Sequence, residues 1–167
     1  MNFNLIFIFL LLFFIGCSEE LQGKSTDELF ANYISLDTEN KIPIDEYYGY
    51  FNKATLNDLK TNSFIPTRSL IVTLVNLSDS FEVDDRKFYK LIDLLLTKGE
   101  SLAGLEDSEC NFVDQLIMKG DVQLFKYLVS KGMKIPDNTN CTVEILNKYK
   151  FRYTSESYDS MLRELDQ

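Results

Sequence analysis

The chain has 167 residues, 45% hydrophobic and 26% charged, a balance that fits one globular domain and excludes a disordered tail. Its formal charge of −9 argues against binding nucleic acid or, through charge alone, an anionic membrane surface, and leaves a basic protein, or none, as the electrostatic partner. Histidine is absent, which removes Ser-His and Cys-His nucleophile pairs, HExxH zinc sites and the usual proton relay at neutral pH.

In chain order, the first feature is an unbroken apolar run from Leu5 to Ile15, with no charged side chain before Glu19. It is too short to span a bilayer, which takes about 20 residues, and has the length of a signal-peptide core. A buried core helix should show a polar face, and this run shows none. The run ends in Phe14-Ile15-Gly16-Cys17, followed by Ser18-Glu19-Glu20. This resembles the lipobox of bacterial lipoproteins, in which a small residue precedes the cysteine that is acylated. Gly16 and Cys17 match that pattern, while Phe14 stands where leucine is usual. The resemblance implies a signal peptide over 1–16, lipidation of Cys17 and a short solvated tether over 17–24. It places the protein in a bacterial cell envelope, membrane-attached through its N-terminal lipid, with Ser18 pointing to the outer membrane facing the periplasm.

Ser25-Thr26-Asp27-Glu28 is a capping box that opens a helix, with Leu29, Phe30, Tyr33 and Ile34 as its apolar stripe. Asp37 to Pro43 breaks that helix. Tyr47, Tyr48, Tyr50 and Phe51 crowd around Gly49, and serve either as core packing or as a binding hot spot. Thr55 to Lys60 reads as another short helix with Asp58 three residues after its threonine cap. Thr67 to Val75 is apolar, and periodicity alone allows strand or helix there. Ser78 to Lys87 is acidic, lacks apolar rhythm, and is expected to bulge outward as an insertion.

From Phe88 onward the chain repeats itself. Leu91-Ile92-Asp93-Leu94-Leu95-Leu96-Thr97-Lys98-Gly99 reappears as Leu124-Phe125-Lys126-Tyr127-Leu128-Val129-Ser130-Lys131-Gly132, with the glycines 33 residues apart. Phe88, Leu91, Ile92 and Leu95 line one helix face, and a glycine after Thr-Lys or Ser-Lys is a left-handed helix stop. Gly120-Asp121 reads as the turn of a helical hairpin, with Asp121 capping the next helix. The period and the spaced glycines resemble ankyrin repeats. Asn111 to Asp121 stands where that family usually writes Thr-Pro-Leu-His and Gly-His, and agrees only at the apolar positions and Gly120. The resemblance implies an all-α fold, a short stack of degenerate helical hairpins over 67–99 and 100–132, and helix rather than strand for Thr67 to Val75. Thr142 to Tyr149 is expected to begin a third unit, and Tyr158, Met161, Leu162 and Leu165 to lie on a C-terminal capping helix. A single domain would then cover 25–167.

Such repeats offer a surface rather than a reaction centre, so the resemblance implies a non-enzymatic protein binder with no cofactor, no metal and no small-molecule substrate. By position in the family, the contact candidates are Asp84, Asp85, Glu106, Asp107, Glu109 and Asp114. Cys110 and Cys141 are either disulfide-bonded, as an exported location permits, or reduced and apolar in behaviour. Small size, acidity and export suit an immunity or inhibitor protein against a toxin; the alternative is a structural or assembly lipoprotein of the envelope.

Overall fold

The computed structural model describes residues 21, 23–36, 42–80, 82–103, 112–136 and 140–165, without the side chains of 140 and 141. Among the described residues the protein is all-α, as expected, with one isolated bridge between Ser35 and Val83 and no sheet. Two compact units divide the chain, one ending at Glu100 and the other beginning at Ser101, where the sequence reading expects one domain.

The first unit contains α1 (Thr26–Ile34), α2 (Ile44–Lys53), α3 (Leu56–Thr61), α4 (Leu70–Leu77) and α5 (Asp85–Thr97). The expected capping box opens α1: the Ser25 hydroxyl accepts from the Glu28 N–H, and the Glu28 carboxylate accepts from the Ser25 N–H at 2.9 Å. Thr55 and Asp58 repeat the device at α3. Because both carboxylates take up orphan donors, Glu28 and Asp58 are held below the ordinary carboxylate range, first by the Ser25 backbone and the Thr55 hydroxyl respectively. α1 packs against α2, α4 and α5, and buries Leu29, Phe30, Tyr33 and Ile34. Thr67 to Val75 resolves as helix from Leu70 onward, capped by the Ser69 hydroxyl.

Two expectations need correction. Leu21, inside the supposed solvated tether, is buried, so folded structure begins before Ser25. Nor does the 78–87 stretch bulge freely: the Leu36 N–H donates to the Glu82 carbonyl, and the Asp84 N–H donates to the Ile34 carbonyl. The Lys87 ammonium reaches the Ser35 carbonyl at 3.0 Å. The end of α1 leaves carbonyls without helical partners, and the inserted residues satisfy them.

The second unit contains α6 (Phe112–Lys119), α7 (Val122–Ser130), α8 (Asn140–Lys148), a 3-10 turn (Lys150–Arg152) and α9 (Ser155–Leu165). α6 packs on α7 and α8, and α9 packs on α7 and α8. First helix therefore meets first helix, and second meets second, between two consecutive hairpins. Val113, Leu116, Phe125, Leu128, Leu146 and Met161 form its buried centre. Among the described residues no helix is long and apolar enough to cross a membrane; Leu5 to Ile15, Cys17 and the signal-peptide reading lie outside them.

Candidate functional site

The repeated segment supplies the frame. At the end of α5 the Gly99 N–H donates to the Leu96 carbonyl and the Glu100 N–H to the Leu95 carbonyl, with Gly99 at φ +96°. At the end of α7 the Gly132 N–H donates to the Val129 carbonyl and the Met133 N–H to the Leu128 carbonyl, with Gly132 at φ +98°. Both are the same Schellman stop, in which a left-handed glycine lets two N–H groups turn back onto the last carbonyls. Gly120 (φ +81°) ends α6, and the Asp121 carboxylate caps α7 through the Leu124 N–H at 2.9 Å, as the hairpin reading requires.

On that frame the six candidate acidic residues separate. Asp84 is a helix cap: its carboxylate accepts from the Arg86 N–H at 3.0 Å and the Lys87 N–H at 3.4 Å, and its own backbone is tied to α1. Asp85, the next residue, is exposed on the first turn of α5. Asp114 does not belong to an outer acidic surface. It is only 7% exposed on α6, and its carboxyl is pushed above the ordinary carboxylate range by burial, which a hydrogen bond with Thr142 partly offsets. The reason is its place in α6 beside Val113 on the face that meets α8, where Thr142 is also buried. Glu106, Asp107 and Glu109 lie outside the described residues, as does Cys110. Cys141 has its backbone on α8 and its side chain outside the description, so the disulfide expectation falls there too.

The tyrosine cluster also divides. Tyr47 and Phe51 are fully in the core, with Phe51 5.3 Å from the Phe30 ring and 5.6 Å from the Tyr33 ring. Burial pushes the Tyr33 phenol up to about 12. Tyr48 is half-buried with its ring 6.1 Å from Tyr33, and the Lys90 ammonium stands 3.8 Å above it. Tyr50 instead lines an open cleft of about 410 Å³ together with Gly23, Lys24, Ser25 and Asn62. That lining offers donors, hydroxyls and one cation. Among the described residues, no group of three or more acidic, cysteine or histidine side chains is placed to hold a metal ion.

Lysine positions escape sequence reasoning. Lys98, at the end of its own helix, sends its ammonium to the Asn52 and Ala54 carbonyls at 2.9 and 2.7 Å, closing the end of α2. Nothing local in the sequence announces that contact, since its partner is 44 residues away. The Lys60 ammonium meets the buried Glu100 carboxylate at 3.2 Å immediately after the first glycine stop. No known family, curated protein or solved structure matches the chain.

Proposed function

We propose that the protein is a lipid-anchored component of a bacterial cell envelope that binds another protein through its helical hairpins, in the manner of an ankyrin scaffold. Its role on this reading is that of an inhibitor or immunity protein that occupies a basic toxic enzyme. The observation that carries it is the repeated hairpin. Two helices written alike, 33 residues apart, end in the same glycine stop, and each is the second member of a contacting helical pair. Repeating units of this kind bury their shared apolar face against neighbours and leave turns and one helix row for recognition. Cys17 supplies the membrane attachment, and the net charge of −9 favours a basic partner.

With Asp84 engaged as a cap and Asp114 inside, the recognition set narrows to Asp85 with Glu106, Asp107 and Glu109. The test is a D85N/E106Q/D107N/E109Q variant of the full chain, compared with the parent by thermal melting and by pull-down of the envelope partner at low and high salt. Unchanged melting with roughly tenfold weaker, less salt-sensitive capture is expected, because rim charges act on encounter and are screened beyond ~8 Å. Capture as tight as the parent's at low salt overturns the acidic surface. A partner that is a constant part of an envelope assembly, held without salt dependence, would favour a structural lipoprotein. A C17A chain should pass into the soluble fraction; retention on membranes would remove the lipid anchor.

A further inference from the structure

From the last residue of α8 toward α9 the chain reads Lys148-Tyr149-Lys150-Phe151-Arg152-Tyr153, three cations alternating with three aromatic rings. No acidic residue occurs between Glu144 and Glu156, although the chain as a whole carries 26 acidic against 17 basic residues. Phe151 is 78% exposed, and Lys148, Lys150 and Arg152 are exposed around it. An apolar ring left in water at the tip of a turn gains free energy from any apolar surface that covers it.

The turn is built rather than loose. The Arg152 N–H donates to the Tyr149 carbonyl at 2.9 Å, and the Tyr153 N–H to the Lys150 carbonyl at 3.1 Å. The Tyr153 hydroxyl donates to the Ile117 carbonyl on α6, and burial pushes that phenol up to about 12. Gly120 lets the two backbones approach: a Cβ there would stand 3.1 Å from the Arg152 Cβ and 3.3 Å from its carbonyl oxygen. Outside these anchors, the Tyr149 and Phe151 rings lie 6.0 Å apart, with the Arg152 guanidinium 5.8 and 5.9 Å from their centres. The Lys150 ammonium lies 4.6 Å from the Tyr158 ring.

We infer that the Lys148–Tyr153 turn docks on an anionic phospholipid surface, with Phe151 as the apolar wedge and Lys148, Lys150 and Arg152 on the headgroups. An exposed ring flanked by long cationic side chains matches the membrane interface, where the ring enters the acyl boundary and the cations stay at headgroup level. A single-stranded nucleic acid would need a basic groove that tracks several nucleotides. One turn supplies a single wedge, and a chain of −9 repels a free polyanion. The choice of a lipid surface rests on the proposed membrane anchor: a tethered chain meets the surface at high effective concentration and is not kept away by its net charge.

The chain contains no tryptophan, so F151W places a single indole reporter at the tip. The full-length F151W chain would be reconstituted into vesicles of phosphatidylcholine alone and into vesicles enriched in phosphatidylglycerol. With phosphatidylglycerol, blue-shifted emission quenched by acyl-brominated lipid is expected. Adding K148Q, K150Q and R152Q should weaken insertion on the order of 100-fold, since each cation near an anionic surface is worth roughly fivefold. Water-like emission, quenched by aqueous iodide in both vesicle types, overturns the proposal. So does an emission shift with polyglutamate or a DNA oligonucleotide where the vesicles give none. Flotation of the same chain separates the two readings: a chain that floats with a wet indole keeps the lipid anchor and loses the turn. An F151W chain with Cys17 intact whose indole enters phosphatidylglycerol vesicles, but which does not float with phosphatidylcholine, keeps the turn and loses the anchor.

Discussion

Among the described residues each compact unit buries one aspartate on its leading helix, and the two carboxylates live in different company. Asp27 on α1 accepts from the Ser63 hydroxyl at 2.8 Å and the Phe64 N–H at 2.9 Å, and the neighbouring Thr26 hydroxyl donates to the Leu59 carbonyl. These bonds clamp the start of α1 to the end of α3. Asp114 on α6 faces α8, where burial resists its charge and Thr142 is the hydrogen-bond partner that opposes the shift. The first carboxylate is surrounded by donors and stabilises as an acceptor. The second is costly when ionised, so burial alone does not make a polar residue stabilising; its partners decide.

The two repeated stops allow the same comparison at the core. Leu91 and Leu128 are both fully buried, one on each repeated helix. Leu91→Ala and Leu128→Ala should each cost about 2–5 kcal/mol in urea denaturation. A cost below that range at either site would show that its helix is not held by core packing.

Asp27→Ala is expected to cost about 1–3 kcal/mol, because it strands a buried hydroxyl and a backbone N–H at once. Asp114→Asn should be neutral or stabilising at neutral pH, measured in the same way. The sign follows from the raised carboxyl: the folded chain holds that proton more tightly than the unfolded one. Stability is therefore lost as pH rises from the ordinary carboxylate range through the raised value, and acidification over that window restores it. Glu28 and Asp58 act in the opposite sense, since their depressed values mean stability lost as pH falls. The readout is thus the difference between parent and D114N, which should show the parent losing ground as pH rises and close to a constant at low pH. A parallel pair of curves would refute the assignment.

The glycines give smaller losses than the core leucines. At Gly99 and Gly132 an added Cβ meets nothing within 4 Å, so Ala at either site pays only for the left-handed backbone, about 1–2 kcal/mol. Gly120→Ala adds the contact with Arg152 and should cost more than either by thermal melting. Equal losses at all three positions would mean that the 149–153 turn moves aside freely.

Features made by neighbours in the chain were legible in advance. Ser25 with Glu28, Thr55 with Asp58, Asp121 before α7 and the Lys-Gly stops all work through bonds within a few residues, so residue type and spacing determine them. The stripe Leu29, Phe30, Tyr33 and Ile34 follows from the 3.6-residue period in the same way. Tertiary structure alone decided that Asp114 turns inward, that 82–84 closes the end of α1, and that Lys98 caps a helix 44 residues earlier. It also split the tyrosine cluster, sending Tyr47 and Phe51 into the core and Tyr50 to a cleft. Each of these depends on which distant backbone group or apolar face lies opposite, and a helical period specifies a face without naming its neighbour. The basic and aromatic alternation at 148–153 was written in the chain, but only the Gly120 and Ile117 contacts decided that it stands as an anchored turn with Phe151 outward.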